Sequence, residues 1–449
     1  MPDRTSADQL DLLHDLIGKA KRLGADAADA VVFNSASMSV SYRLGKLEDV
    51  ERAESHDLGL RVFIGKHQAA VASTDLSPRA LDALAERAVA MARTTPEDKY
   101  CGLAPREVLA KSWPELDLVD RNEPSSERLV EFARTCEAAA LAVPGISNSE
   151  GASAGWGKGG VALVTSEGFA GSYASTSTSI STSVLAGEGT RMERDYDFTS
   201  AHYLSDLETP ENVGKSAAAR TLRRLNPRKV KSQSVPVVYD PQVANSLVGH
   251  LAGAISGAAI ARGTSFLKDK MGQRVFAPGI RIVDDPHIKR GLRSKPFDGE
   301  GVANRRWDLI EDGVLKTWLL DSASARQLGL TTTGHASRGT GGPPSPSTTN
   351  LYLAAGSQSA DELIGGVKEG FYVTELIGMG VNGITGDYSR GAAGFWIENG
   401  KVTYPVSEIT IAGNLKDMFL HLTPASDLKF KYGTNAPTIL VEGMTIAGS

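Results

Sequence analysis

Twice before residue 230 the sequence runs helix, strands, helix, and each closing helix opens on the same device. The first helical run puts Leu10, Leu13, Ile17 and Ala20 on one face and stops at Gly24. Strand-like runs follow at 30–33, 38–43, 47–53, 59–64 and 69–73. Ser77-Pro78 then starts a helix, with the hydroxyl as N-cap and proline at the first helical position, where a missing N–H does no harm. Its apolar face is Leu81, Leu84, Ala88 and Met91. After a polar linker at 104–125 the order returns: a helix over 126–141 carrying Leu129, Phe132 and Cys136, strands at 146–152, 160–165, 170–186 and 190–199, and a helix from Thr209-Pro210. The copies share element order but little residue identity, so duplication and simple recurrence both stay open. Either way the helices must cover a sheet.

Within the second copy, residues 172–184 (SYASTSTSISTSV) read as a strand with a polar face rather than a linker, from their Thr content and the isolated Tyr173, Ile180 and Val184. Such a face would line a cavity or meet another subunit. Beyond residue 230 the pattern changes. A short apolar strand at 235–239 precedes a helix over 241–261 that is apolar nearly all round and is therefore expected to be buried. Strands follow at 281–283, 314–319, 351–353, 394–398, 408–412 and 438–441, with short helices at 321–328 and 360–367. Asn399-Gly400 between two strand runs marks a hairpin. A chain of 449 residues exceeds one ordinary core. The expected fold class is α+β: N-terminal α/β layers over 1–103 and 104–230, then a β-rich, barrel- or sandwich-like domain over 231–449 with one buried helix.

A charge of −5, from 48 basic and 53 acidic residues, gives no support to a nucleic-acid or membrane partner. No apolar run reaches the length of a membrane span. The first residues lack the basic and apolar regions of a signal peptide. Cys101 and Cys136 are too few for a disulfide framework or a cysteine-rich metal site. A cytoplasmic protein is expected.

Gly378, Gly380 and Gly383 spell G-x-G-x-x-G after a strand-like run. That fingerprint binds a dinucleotide only when a helix opens at the glycines. Gly386, Gly391 and Gly394 follow too closely for one, so residues 371–400 read as strand, tight loop, strand. The eight histidines form no HExxH, HExxxH or other close pair. His250, inside the apolar helix, reads as a core histidine with one hydrogen-bonded nitrogen. Ser265 and Lys268 match S-x-x-K without the other arms such a nucleophile needs. Asp284, Asp285, His287, Asp298 and Glu300 form an acidic region that turn chemistry explains better than a cation site. The Gly- and Pro-rich run 334–350, with His335 and Arg338, reads as an ordered loop of the kind that carries binding function.

Several long segments, in order, resemble the PmbA/TldD family, once called modulators of DNA gyrase. They are GTSFLKDKMGQRVFAPGIRIVDDP, PFDGEGVANRRWDLIEDGVLKTWLLDSASARQLGL, TTGHASRGTGGPPSPSTTNLYL and FYVTELIGMGVNGITGDYSRGAAGFWIENG, with DLGLRVFIGKHQAAVAST near the start. The resemblance implies two branches working as a heterodimer. The TldD branch carries HExxxH on the helix equivalent to 241–261 and a C-terminal cysteine ligand. In register from Gly263-Thr264-Ser265, those positions here are Val248, Gly249 and Gly253, and no cysteine follows Cys136. Without imidazole or thiolate nothing holds zinc. The resemblance therefore implies the PmbA (TldE) branch: no cofactor in this chain, zinc in a TldD-like partner, and ATP-independent trimming of peptides and unfolded proteins, antibiotic peptides included. Candidate peptide- or partner-facing residues are His335, Arg338, Gly339, Asn350, Asp387, Tyr388 and Arg390. In isolation a homodimer is compatible. The alternatives are an independent non-metal hydrolase, using Ser265/Lys268 or Asp387/Arg390, and a regulator of DNA gyrase or an antitoxin.

Overall fold

The computed structural model describes residues 6–448; residues 1–5, where the segment read for a signal peptide begins, and Ser449 lie outside it. Helix α1 (Ser6–Arg22) leads into β1 (Ala27–Arg43), β2 (Lys46–Ile64), β3 (His67–Ser73) and α2 (Pro78–Ala92). The second round is α3 (Ser126–Leu141), β4 (Ile146–Thr165), β5 (Ala170–Ala186), β6 (Glu193–Ala201) and α4 (Pro210–Arg223). The six strands form one sheet in the order β3-β2-β1-β4-β5-β6, symmetric about the antiparallel β1–β4 pair. The expected caps are present: Ser77 accepts from the Ala80 N–H and Thr209 from the Asn212 N–H, each with proline in the first turn.

Runs expected as separate strands are continuous. Residues 30–33 and 38–43 belong to β1, 47–53 and 59–64 to β2, and 146–152 and 160–165 to β4. Polar residues that look like breaks are one face of a long strand. Exposed Ser37, Ser39 and Ser41 alternate with buried Met38 and Val40. Burying each large apolar side chain stabilises by about 1.5–3 kcal/mol, more than the weak strand preference of the serines opposes. On this inner face Ala28, Ala30, Val32, Leu58, Leu60 and Val62 pack under α1 and α2. Further along, Met38, Val40, Ala154, Trp156 and Ile180 pack under α3 and α4.

The C-terminal region runs β7 (Gln233–Tyr239), α5 (Pro241–Ala254), α6 (Gly257–Ala261), β8 (Ile282–Asp285), β9 (Trp307–Glu311), β10 (Val314–Leu315), α7 (Ser322–Leu328), β11 (Ala336–Ser337), β12 (Ser345–Pro346) and β13 (Asn350–Leu353). It continues with α8 (Ala360–Gly365), β14 (Glu369–Ile377), β15 (Asp387–Glu398), β16 (Lys401–Asn414), α9 (Leu415–Leu420), β17 (Leu422–Pro424), β18 (Thr434–Asn435) and β19 (Ile439–Ala447). Strands β7, β14, β15, β16 and β19 close into a five-stranded barrel, because β16 also pairs with β19. Asn399 and Gly400 take φ of 51° and 75° at the β15–β16 hairpin, the left-handed pair a two-residue turn requires. The fold class is α+β, and the alternative of barrel or sandwich resolves to barrel.

The helix expected over 241–261 differs in two ways. It breaks after Ala254, where Ile255 leaves helical geometry and the Gly257 N–H bonds the Leu319 carbonyl at 2.7 Å. A side chain on Gly257 would meet Leu320 and Ser324 at 2.6 Å, so glycine lets this corner close against α7. Nor is α5 buried all round. Ala244, Leu247, Val248, Leu251 and Ala254 face the core, while Gly249 and Gly253 are exposed.

Candidate functional site

Helix α5 starts at Asp240, whose carboxylate accepts from the Gln242 N–H at 2.9 Å. Its outer face borders a cavity of about 250 Å³, walled by Gln242, Asn245 and Ser246, by Thr374–Leu376 of the barrel, and by Arg194–Tyr196 at the start of β6. Arg224 crosses this seam. It pairs with Glu193 and Asp195, each at 3.5 Å, and with Glu375. Burial pushes the Glu193 carboxyl up, and the Arg224 charge opposes that rise. Arg390 also lines the cavity, and among the described residues no carboxylate lies within ion-pair distance of it. The cavity is thus a slot lined by polar and charged side chains of α5, the barrel and β6.

His250 of α5 lies half-buried, edge-on to Tyr388 with ring centroids 5.9 Å apart. Its Nε2 is buried without a hydrogen-bond partner. The satisfied nitrogen expected of a core histidine is therefore not found at Nε2. Burial, then the Arg390 charge, holds the imidazole below its ordinary pKa and keeps it neutral.

The loop over 334–350 is ordered but turned inward. His335 is 3% exposed; its Nε2 stands 3.3 Å from Asp284 and its Nδ1 2.7 Å from the Thr333 hydroxyl. The Arg338 side chain is 2% exposed and donates to Asp29 of β1 at 2.6 Å. Asp29 also pairs with Arg61, its cross-strand neighbour on β2, at 2.5 Å. Burial raises the Asp29 pKa, but the charges of Arg338 and Arg61 outweigh it and hold the carboxyl below its usual range. Gly59 makes this docking possible, since a side chain there would meet the Thr340 carbonyl at 2.5 Å. Asn350 donates to the Asp285 carbonyl and to Ser294, both at 2.7 Å. His335, Arg338 and Asn350 thus bind parts of this chain to one another, and their side chains are buried rather than offered on the outer surface. Tyr388 is buried as well. Gly339, Asp387 and, in part, Arg390 reach the surface.

The non-metal pairs do not assemble. Buried Ser265 donates to the Ala254 carbonyl at 2.6 Å and accepts from the Leu267 N–H, while Lys268 is exposed. Asp387 accepts from Thr385 at 2.6 Å and from Asn414 at 3.1 Å, and no ion pair with Arg390 forms among the described residues. Asp285 and Asp298 accept from N–H groups two residues on, as turn residues do. The glycine stretch is strand β14, a tight loop and strand β15.

Three domain families of PmbA/TldA metallopeptidases match in sequence order: domain 1 over residues 28–92, the central domain over 120–225 and the C-terminal domain over 232–448. The chain is 42% identical to the metalloprotease PmbA of Escherichia coli O157:H7 over 445 residues, covering 98% of this chain and 97% of that protein. The chain belongs to the PmbA/TldD family. Among solved structures, a modulator of DNA gyrase from Bacteroides thetaiotaomicron superposes with a TM-score of 0.91 at 27% identity, covering 99% of this chain and all of that one. TldE from Thermococcus kodakarensis, at 22% identity, shares the fold with a TM-score of 0.88 over 97% of this chain and 100% of its own.

The name metallopeptidase implies a metal, and α5 tests the fit. Val248 is 2% exposed and packed in the barrel core, and Gly249 and Gly253 have no neighbouring atom within 4 Å of where a side chain would begin. None of the three offers a donor atom, so these residues do not fit a zinc site of the HExxxH kind. Among the described residues no group of three or more His, Cys, Asp and Glu side chains is placed to hold a metal. In this PmbA/TldD chain, sequence reasoning missed the charges on the sheet. Asp29 and Arg61 stand alone in the apolar runs AADAVVF and LGLRVFI, and a lone charge in a buried strand requires a partner.

Proposed function

We propose that this chain is the non-catalytic, PmbA/TldE-type subunit of a heterodimeric metallopeptidase whose TldD-like subunit holds zinc and the general base. The observation that carries the reading is α5, where Val248, Gly249 and Gly253 occupy the metal and base positions. The pair would trim peptides and unfolded proteins in the cytoplasm, antibiotic peptides included. This chain, built of units 1–103, 104–230 and 231–449, would wall the chamber and guide an extended substrate past the bare face of α5, near Arg390.

A partner surface is suggested by the loop between β14 and β15. Ile377, Met379 and Ile384 are 59%, 90% and 61% exposed, an apolar tip beside Asp387 that the single chain leaves in water. The test is to purify the chain alone, measure bound metal and peptidase activity, and then add a TldD-like subunit. Activity is expected only in the mixture. Stoichiometric zinc or robust cleavage by the chain alone would favour the second reading, an independent peptidase, which the name of the Escherichia coli relative supports. Capture of gyrase instead of a TldD-like subunit would favour a regulator.

A further inference from the structure

A second cavity, of about 110 Å³, lies at the seam between the six-stranded sheet and the barrel domain, away from α5. Its sheet wall is apolar: Val31 and Phe33 of β1, Val161 and Leu163 of β4, and Tyr173 of β5, all on one face by strand register. Phe297 closes the other side, 5.4 Å from Tyr173 and 4.8 Å from Phe169. Gly171 lets those rings approach, since a side chain there would meet Phe297 at 2.9 Å.

The polar end holds two cations. Arg338 lines the cavity with its side chain almost wholly buried, and its Nη2 has no hydrogen-bond partner although Nη1 bonds Asp29. Lys295 lines it too, and among the described residues no hydrogen bond or ion pair holds its ammonium. Asp298 also lines the cavity and its charge acts on Lys295, but its oxygens are already committed, with Oδ1 accepting from the Glu300 and Val302 N–H groups and Oδ2 from the Ala336 N–H. Burial draws the Lys295 pKa below its ordinary value, as expected of an ammonium without a counter-ion in contact. A buried guanidinium N–H without an acceptor is costly, and an apolar chamber with two unmatched cationic donors fits one chemistry.

We infer that this cavity binds a carboxylate carrying a short apolar chain, with Arg338 and Lys295 holding the carboxylate and Phe33, Tyr173 and Phe297 enclosing the chain. The half-buried Phe33 and Tyr173 adjoin rows of small residues along the same sheet face, Ser35–Gly159–Ser175 and then Ser37–Gly157–Ser177. An extended peptide could lie along that tract and deliver its C-terminal carboxylate. That source rests on the peptide-handling role proposed above, whereas the carboxylate site does not.

The test is calorimetric titration of the full chain, alone, with 3-methylbutanoate, 3-methylbutanamide, and acetyl-Ala-Ala-Leu as free acid and as C-terminal amide. At least one acid is expected to bind saturably, and its amide at least tenfold more weakly, because the amide loses the charge-assisted bonds. Binding of the peptide acid identifies a chain terminus as the source; binding of 3-methylbutanoate alone identifies a free small acid. Lys295→Met should weaken acid binding tenfold or more. Val161→Phe, which fills the cavity and keeps both cations, should do the same if the lysine variant fails to fold. No binding by either acid, equal binding of acid and amide, or unchanged affinity in a folded Lys295→Met protein overturns the inference. Because no TldD-like subunit is present, these outcomes leave the partner-subunit reading to its own assay.

Discussion

Asp29 is one carboxylate serving two guanidiniums, and all three side chains are almost fully buried. Removing different members should have unequal consequences. Asp29→Asn leaves two buried cations without a counter-charge and should destabilise by about 3–5 kcal/mol. Arg338→Met leaves Asp29 on Arg61 and should cost about 1–3 kcal/mol. Urea unfolding of both variants checks the order, and equal losses would show that Arg61 and Arg338 do not depend on Asp29. A second residue-scale prediction concerns pH. Burial, then the Glu300 carboxylate, pushes Asp298 up to about 7, against three backbone N–H donors. Between the ordinary carboxylate value near about 4 and that raised value, the folded chain keeps a proton the unfolded chain has released. The stability from this group is therefore full below the window and lost as pH rises through it. Asp29, with its depressed value, acts in the opposite sense: its contribution is present above the ordinary value and lost at lower pH. Glu300→Gln should flatten the stability profile between about pH 4 and pH 7, and an unchanged slope would refute the coupling.

At the scale of elements, the glycines divide by what surrounds them. Gly249 and Gly253 lie inside α5 with nothing near a would-be side chain. Changing each to Ala should stabilise by about 0.5–1 kcal/mol, because helical glycine loses more chain entropy than alanine. Calorimetry should show a higher Tm for the double variant, and a lower Tm would mean that another group occupies that space. Gly380 is the contrasting case. The Ser389 N–H bonds its carbonyl at 2.7 Å, and a Cβ on Gly380 would strike the Ser389 carbonyl. Gly380→Ala should therefore loosen the β14–β15 loop and speed amide exchange there. Of the three glycines in the G-x-G-x-x-G likeness, Gly380 is thus explained by backbone crowding and Gly378 by its left-handed φ of 80°, and no helix opens here to receive a phosphate.

For the whole molecule, the sheet and the barrel domain are held together by more than the Asp29 cluster. Arg326 donates to the carbonyls of Tyr100, Gly102 and Leu103. Arg290 pairs with Asp117 at 2.7 Å and Asp206 at 3.0 Å, and Lys431 pairs with Asp197 at 2.7 Å. With this seam fixed, the apolar loop tip at Met379 and Ile384 remains exposed and is the surface proposed for a partner. Met379→Asp with Ile384→Asp should leave the Tm within a few degrees but weaken association with a TldD-like subunit at least tenfold, since exposed sites tolerate charge and apolar contacts do not. Light scattering of the mixture reads this directly. Undiminished association would move the interface elsewhere.

The sequence by itself determined what depends on near neighbours. Ser77-Pro78, Thr209-Pro210 and Asn399-Gly400 marked element ends because caps and turns act over a few residues. That Val248, Gly249 and Gly253 carry no imidazole or carboxylate is read directly from the sequence, while their equivalence to metal and base positions comes from the family resemblance. Only the tertiary structure decided which way residues face. It joined the split strand runs into one sheet, because alternation was readable but burial was not. It turned His335, Arg338 and Asn350 inward, although their glycine-rich setting suggested a surface loop. The Asp29–Arg338 bond spans 309 residues of chain, and no local periodicity encodes a contact of that range. The carboxylate cavity arises for the same reason, as Lys295 and Arg338 become neighbours of Phe33 and Tyr173 only when the barrel domain closes on the sheet.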